Sequence, residues 1–264
     1  MRPSVRALLI LAVWYPLSLF AGEPKYDVNV NVLLTDDGKK LTPPTKANPA
    51  YYYPIVAGYT ELGPVVAGET IPDKKEVLHM LARVLANQGY RVALPDRTPP
   101  ATLFLVCRWG YMNPDVIVTE SEGGDPTDPV MATTFRNQDK MLALVSGLSA
   151  NLVDPKGRVG LMSQVNALAK DDAEDDRYFV IVTAYEAAAF TERNEKKMLW
   201  QARISTPSSK VNSLNQIMPT LINTGGPFFG KDTMPPHRTS VPVVPAGNVD
   251  IGTATVLPES TEKR

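Results

Sequence analysis

Hydrophobic and polar residues alternate near the start of the predicted folded part of the chain. In Tyr26–Leu34, apolar side chains occupy every second position on one side, and Asn29 and Asn31 lie on the other. This two-residue period predicts a half-buried β-strand. A second extended segment follows at Tyr51–Gly58. Pro54 within it predicts a sheet edge or a bulge, because proline lacks the amide hydrogen that a central strand donates.

The first helix with a clear pattern is predicted over Asp73–Asn87. Asp73 can cap its start, and Glu76 three residues later completes a capping box. Gly89 ends the helix, and a strand begins at Tyr90. Apolar residues at helical spacing form one stripe, so the helix is expected to pack against a sheet. The stripe comprises Val77, Leu78, Leu81, Val84 and Leu85.

Two later segments have the composition of interior strands. Leu103–Trp109 is apolar on both sides, and Tyr178–Tyr185 is rich in β-branched and aromatic residues. The alternating segment Met198–Ile204 is predicted to pair with Tyr178–Tyr185 as an antiparallel hairpin across a polar connection. Helices are further predicted over Asn137–Leu152, Leu161–Ala173 and Ser209–Asn223, and a surface loop over Asn113–Pro129.

These elements predict the fold class α+β, with a mainly antiparallel sheet and helices packed on one face. The folded part is expected to be a single domain over residues 24–230. Residues 231–264 contain five prolines, no aromatic residue and few aliphatic ones. They are predicted to form a disordered or loosely docked tail, because they bury too little surface to offset ordering entropy. Within this tail, Val241–Pro245 could add an extended strand to a partner.

Residues 1–21 have the three-part form of a secretory signal peptide. Two arginines precede the apolar run Ala7–Phe20, and the small residues Ala21 and Gly22 follow it. The run is shorter than the roughly 20 residues that a membrane-spanning helix needs, and no second hydrophobic segment follows. We therefore expect cleavage after Ala21 and export to the periplasm or cell envelope. The mature chain is expected to have no transmembrane span.

Composition excludes several classes of protein. The 264 residues carry a net charge of −1, and removal of residues 1–21 leaves 25 basic against 28 acidic residues. A nucleic-acid binder needs a basic surplus, so no nucleic acid is expected as a partner. A single cysteine excludes a disulfide scaffold. Cys107 lies in an apolar strand without a basic cluster nearby, which predicts a buried small hydrophobe rather than a nucleophile.

The sequence contains no recognisable catalytic, cofactor or metal site. His79 and His237 have no second ligand or general-base partner close in sequence. Asp171–Asp176 holds five carboxylates in six positions. Because this run lacks the alternation and the central glycine of a calcium loop, a solvated acidic turn is favoured over a calcium site.

Two further groups leave a binding role open. Arg108 and Arg203 are the polar exceptions in apolar strands, and each is expected to point to solvent or to pair with a carboxylate such as Glu186. Several aromatic residues could line a surface for a glycan or a peptide, although aromatic residues in strands are more often core. These residues are Tyr51, Tyr52, Tyr53, Tyr59, Trp109 and Tyr111.

The order of elements resembles that of uncharacterised bacterial envelope lipoproteins of unknown function. The resemblance covers the layout of about residues 50–225, with two matching motifs: the Gly-Tyr of Asn87-Gln-Gly-Tyr90 and the Trp-x-x-Arg of Trp200-Gln-Ala-Arg203. It implies an envelope location and brings no catalytic residues. The chain lacks the lipid-attachment cysteine of these proteins, so the resemblance does not extend to a lipid anchor.

The sequence therefore predicts an exported, non-enzymatic protein that acts by binding or assembly with an envelope protein or cell-wall component. Two alternatives stay open. One is a hydrolase that uses carboxylates distant in sequence, such as Asp115, Glu120 or Glu186. The other is a small-ligand carrier with an apolar cavity between sheet and helices.

Overall fold

The computed structural model describes residues 25–63, 68–96, 98–114, 117–119, 133–135, 138–146, 169–211 and 213–242. The predicted signal peptide, the end of the predicted tail and most of the predicted loop at 113–129 lie outside the described residues. The strands are β1 (Lys25–Leu34), β2 (Ala50–Leu62), β3 (Tyr90–Val92), β4 (Leu103–Met112), β5 (Ile117–Thr119), β6 (Thr133–Phe135), β7 (Arg177–Glu186), β8 (Met198–Pro207) and β9 (His237–Pro242). The helices are α1 (Asp36–Lys39), α2 (Lys74–Asn87), α3 (Gln138–Ser146), α4 (described over 169–174), α5 (Ala187–Arg193) and α6 (Leu214–Gly225).

Seven of the described strands form one mixed sheet in the order β3-β2-β4-β7-β8-β1-β9. The pairs β3–β2 and β2–β4 are parallel, and every other pair in this sheet is antiparallel. The prediction of an α+β fold with a mainly antiparallel sheet is confirmed. Strands β5 and β6 form a separate antiparallel pair. No helix among the described residues has the length and apolar character to cross a membrane.

Pro54 lies in a part of β2 that pairs with only one neighbouring strand, β4. Strand β3 pairs with β2 over Ala50–Tyr52 alone, whereas β4 follows β2 along Tyr52–Leu62. From Tyr53 onward, β2 therefore has a free edge, which tolerates a proline without loss of a ladder hydrogen bond. The register of β2 and β4 also shifts between Val56 and Gly58. The prediction of an edge or a bulge holds for this part of β2.

Helices α2 and α6 cover what we call the first face of the sheet. The Asp73 carboxylate accepts from the Lys75 and Glu76 amides at 2.8 and 3.3 Å, which confirms the predicted cap of α2. Gly89 makes the turn into β3 with φ +87°, a conformation that side-chain-bearing residues rarely adopt. The core of this face includes Val77, Leu81, Leu85, Trp109, Val180, Ile204, Ile217 and Leu221.

Helix α6 starts later than the sequence predicted. Residues Ser208–Lys210 form a 3-10 turn, and the helix begins after Ser213, whose hydroxyl accepts from the Gln216 amide at 3.4 Å. The Leu214 amide donates to Glu69 Oε1 at 2.7 Å. A carboxylate from a distant loop therefore satisfies a free amide at the first turn of α6, a partner that local sequence does not indicate.

Helices α3 and α4 lie on the opposite, second face, although the sequence predicted helices on one face. Phe179 and Met112 pack there against Met141 and Leu144 of α3. Asn29 and Asn31 of β1 are each 4% exposed, so β1 is buried on both sides rather than half-buried. The Asn31 amide donates to the Val145 carbonyl at 3.4 Å, and Asn29 donates to Asp172 at 3.0 Å. Polar partners on the helices allow these asparagines to be buried.

The first part of the predicted tail belongs to the sheet. Strand β9 pairs antiparallel with Lys25–Val30 of β1 and forms one edge of the sheet. The Ser240 hydroxyl donates to Asp27 at 2.7 Å. Val241 and Pro242, for which the sequence left open a strand added to a partner, pair with β1 of the same chain. Without β9, β1 would present a long unpaired edge, which proteins commonly cover.

The predicted antiparallel hairpin of β7 and β8 is confirmed. Its connection was predicted to be polar, and the helix α5 forms the first part of it. Asn194, with φ 54°, ends this helix in the left-handed conformation. Asparagine is among the few side-chain-bearing residues that adopt this conformation readily. The helix positions Phe190 beside the second face of the sheet.

Candidate functional site

The second face has a part that α3 and α4 leave exposed. Tyr53 is 53% exposed, Ile55 is 40% exposed and Phe190 is 43% exposed. The rings of Tyr53 and Phe104 lie 6.2 Å apart, and those of Phe104 and Phe190 lie 5.5 Å apart, both edge to face. Contiguous exposed apolar side chains mark interaction surfaces. We call this surface the bare half and define it as Tyr53, Ile55, Phe104, Val106, Arg108 and Phe190.

The aromatic residues that the sequence singled out separate into two groups. Tyr52, Trp109 and Tyr111 are each at most 3% exposed and belong to the first-face core, so the core interpretation is confirmed for them. Tyr53 belongs to the bare half because it alternates with Tyr52 along β2. Tyr51 and Tyr59 are half-buried.

Arg108 and Arg203 lie in one row of the second face. Arg108 is in register with Ile181, and Ile181 is in register with Arg203. Their Cα atoms are therefore two strand spacings apart, about 10 Å. Arg108 is exposed and Arg203 is half-buried. Neither forms the predicted pair with Glu186, which lies at the end of β7 on the first face, in register with the core residue Leu103.

Arg203 is the less satisfied of the two. Its Nη1 atom is buried and has no hydrogen-bond partner. Burial lowers the pKa of the Arg203 guanidinium, because removal from water disfavours the charged form. An arginine nevertheless keeps its charge near neutral pH. A buried guanidinium nitrogen without an acceptor destabilises the isolated chain.

A cleft of about 260 Å³ lies beside α4 on the second face, and charged side chains of α4, β7 and β9 are part of its lining. Asp172 Oδ2 lies 2.6 Å from Arg238 and accepts from Asn29 at 3.0 Å. Asp172 Oδ1 lies 3.4 Å from Arg177, whose side chain is 1% exposed. Arg177 Nε also donates to Ser205 at 3.1 Å. One carboxylate thus joins α4 to β1, β7 and β9.

The acidic run Asp171–Asp176 is more than a solvated turn. Asp172 forms the contacts just described, and Asp176 accepts from the Tyr111 hydroxyl. Asp171, Glu174 and Asp175 are exposed. Within the part of the chain that the structure describes, no three His, Cys, Asp or Glu side chains are arranged to hold a metal ion.

A cleft of about 550 Å³ opens at one end of the sheet, beneath the loop that follows α1. At its rim, Lys197 lies 3.1 Å from Glu186 and 3.3 Å from Asp37, and Lys40 lies 2.9 Å from Asp37. These four charges neutralise one another, so the rim offers no unpaired charge to a ligand. Its apolar lining includes Pro43, Pro44, Pro49, Tyr90, Leu103 and Trp200.

The structure does not show the carboxylates of the hydrolase alternative next to one another in the part of the chain that it describes. Glu186 forms an ion pair with Lys197. The side chains of Asp115 and Glu120 lie outside the described residues. His79 is exposed on α2. His237 lies in β9, with its ring centroid 4.6 Å from that of Phe228.

Cys107 lies beside a small apolar cavity of about 150 Å³ between α2 and the sheet. It is 3% exposed, which confirms the prediction of a buried small hydrophobe. Burial raises the pKa of its thiol to about 12, so it is not a thiolate near neutral pH. The cavity is smaller than the roughly 300–1,000 Å³ of typical ligand pockets and gives the carrier alternative little room.

No protein-family model matches the chain, and no curated protein matches it. Two solved structures show a low structural similarity. PelC from Paraburkholderia phytofirmans, described as a dodecamer, is 10% identical with a TM-score of 0.30 and covers 77% of this chain and 98% of its own. A single-residue variant of PelC is 8% identical with a TM-score of 0.30, with coverages of 75% and 93%. Neither similarity assigns the chain to a family.

Proposed function

We propose that this is an exported, non-enzymatic protein of the bacterial cell envelope that acts by binding or assembly through the bare half. The exposure of Tyr53, Ile55 and Phe190 beside Phe104 carries the proposal. Contact between water and a group of large apolar side chains is unfavourable, so a molecule that covers them lowers the free energy. Residues 1–21, with the pattern of a signal peptide, support the export part of the proposal.

Binding to envelope material tests the role of the bare half. The double variant Tyr53→Ser with Phe104→Ser removes two rings from this surface. We expect the wild-type chain to sediment with purified bacterial envelope fragments and the double variant to remain in the supernatant. Circular dichroism and thermal melting establish that both proteins are folded.

Ile71→Ser is the matched control, because Ile71 is a 54% exposed apolar residue outside the bare half. We expect it to sediment like the wild type. A double variant that sediments as well as the wild type would overturn the proposed role of this surface.

Export is tested separately. When the gene is expressed in a bacterium, we expect a periplasmic protein whose mass corresponds to loss of residues 1–21. Recovery of the unprocessed chain from the cytoplasm would contradict the proposal.

A further inference from the structure

The bare half carries positive charge. Arg91 of β3 is exposed and in register with Tyr51, so it lies on the second face like Arg108. Arg203 continues the row of Arg108 across the sheet. The strand positions of this face between these arginines hold no carboxylate; they are residues 51, 53, 55, 104, 106, 181, 183, 185 and 201. The strand positions of this surface are therefore basic, and the charges next to Phe190 on α5, Glu192 and Arg193, pair with each other. The whole chain, by contrast, has a net charge of −1.

Arg91 and Arg108 are exposed, and neither takes part in an ion pair among the described residues. Unpaired guanidinium groups beside exposed aromatic rings predict a partner that is acidic and partly apolar.

The same face of the same molecule carries exposed acidic groups on its covered part. Asp171, Glu174 and Asp175 of the acidic run are exposed, and none lies within ion-pair distance of a cation among the described residues, although the charge of Asp175 also acts on the buried Arg177. Asp172 and Asp176 turn inward and hold the run in place. Among the described residues of α4 and the turn that follows it, these three carboxylates outnumber the one exposed lysine, Lys170, and Arg238 pairs with Asp172. This part of the second face is therefore acidic where the bare half is basic.

The two parts also differ in height. Helices α3 and α4 raise the covered part above the sheet by about the 10–12 Å diameter of a helix with its side chains. The bare half is a step below it. A second copy, turned about a two-fold axis that lies parallel to the sheet, brings its helices over the bare half of the first copy. This arrangement would set the exposed Asp171, Glu174 and Asp175 opposite Arg91 and Arg108, and the half-buried Leu142 and Ala143 of α3 opposite the exposed rings.

We infer that the partner which covers the bare half is a second copy of this chain. This inference rests on the proposed function and specifies its partner. Two-fold symmetry means that each contact forms twice, since each copy supplies both the basic and the acidic surface. The dimer covers both exposed aromatic clusters and places carboxylates beside guanidinium groups that lack them in one copy.

The oligomeric state of the full-length protein tests the inference. Analytical ultracentrifugation at about 50 mM salt should give twice the mass of one chain, and at about 500 mM salt the dimer should weaken because ion pairs are screened. Arg108→Glu should raise the dimer dissociation constant at least ten-fold. The double variant Glu174→Lys with Asp175→Lys should do the same.

A charge exchange makes the test specific. A chain that carries Arg91→Glu and Arg108→Glu together with Glu174→Lys and Asp175→Lys should recover the dimer, because both surfaces change sign. The control is Arg83→Glu on α2, which changes an exposed arginine on the opposite face and should leave the dissociation constant unchanged.

Three results would overturn the inference: a monomer at low salt and high protein concentration, a dimer that Arg108→Glu does not weaken, or an exchanged chain that stays monomeric. A monomer that still sediments with envelope fragments through Phe104 would leave the proposed function intact and assign the bare half to another molecule. A dimer that fails to sediment with envelope fragments would support the inference and contradict the proposed function.

Discussion

Arg177 and Arg203 both lie on the second face, on the neighbouring strands β7 and β8, and have different surroundings. Arg177 is 1% exposed, yet its guanidinium contacts Ser205 at 3.1 Å and Asp172 at 3.4 Å. Arg203 is half-buried and keeps Nη1 without a partner. The difference arises from α4, which brings Asp172 over the covered part and brings no carboxylate over Arg203. Arg177 is therefore satisfied because a carboxylate of α4 reaches it, whereas Arg203 lies beside Asn31, which bonds to α3, and has no carboxylate partner among the described residues.

The aromatic residues follow the same division. Phe179 packs under α3 and is 1% exposed, whereas Phe190 borders the bare half and is 43% exposed. Because burial of an apolar side chain contributes in proportion to the area removed from water, the two phenylalanines contribute unequally to stability. The covered part stabilises the monomer, and the bare half presents groups that the monomer does not use.

The largest expected effect contrasts these two phenylalanines. Phe179→Ala should lower the free energy of unfolding by about 3–5 kcal/mol, because it leaves a cavity under α3. Phe190→Ala should lower it by about 1 kcal/mol or less, since much of the ring already contacts water. Urea unfolding at about 500 mM salt measures both values and keeps the proposed dimer from contributing. Equal losses would show that the bare half is part of the core.

The next effect contrasts the two arginines. Arg177→Met should destabilise by about 2–3 kcal/mol, because it breaks a buried ion pair, although Arg238 still contacts Asp172. Arg203→Met should be neutral or stabilise by about 1 kcal/mol, because it removes a buried nitrogen that has no partner. The same unfolding experiment serves for both. A loss of 2 kcal/mol or more for Arg203→Met would mean that its guanidinium is satisfied within the monomer.

Local signals in the sequence were sufficient for elements whose neighbours are close in the chain. The cap at Asp73 and the stripe from Val77 to Leu85 define α2, and the alternation of Met198–Ile204 defines β8 beside β7. In each case the periodicity identifies both the element and its buried side. This is why the α+β class could be predicted.

The second helix layer could not be predicted in the same way. Asn29 and Asn31 have the pattern of a solvent-facing side, but their partners are Asp172 and the Val145 carbonyl, more than a hundred residues away. Periodicity identifies the two sides of a strand and not what covers them. Strand β9 shows the same limit, because the composition of residues 231–264 does not indicate that β1 needs a neighbour.

The candidate site was visible in the sequence as separate residues. Arg108 and Arg203 were recognised as exceptions in apolar strands, and Tyr53 as one of several aromatic residues. Only the register through Ile181 places the two arginines in one row, and register is set by long-range pairing. Sequence therefore supplied the residue types of the bare half, and the fold supplied their arrangement.

The smallest expected effect concerns Cys107, whose labelling tests whether substitutions in the bare half leave the interior of the sheet unchanged. Cys107 follows Val106 and precedes Arg108 on β4, with its side chain on the first face. Because its thiol has a pKa raised to about 12, a thiol reagent at pH 8 should react very slowly with the folded wild type. Arg108→Glu should leave this rate unchanged. Faster labelling would show that the substitution opens the sheet, and its effect on assembly would then have a different cause.

The same thiol predicts the sign of a pH effect on stability. The unfolded chain releases the thiol proton near pH 8.5, whereas the folded chain retains it up to about pH 12. The contribution of this thiol to the free energy of unfolding is therefore fully present below pH 8.5. It is lost as the pH rises, and the free energy of unfolding falls by about 1 kcal/mol between about pH 8.5 and 9.5. Cys107→Val should remove this part of the slope in urea unfolding at several pH values, and Arg108→Glu should keep it. If the dependence of the unfolding free energy on pH is the same in Cys107→Val as in the wild type, the thiol is accessible to water in the folded chain. The first face at β4 would then be no more deeply buried than the bare half.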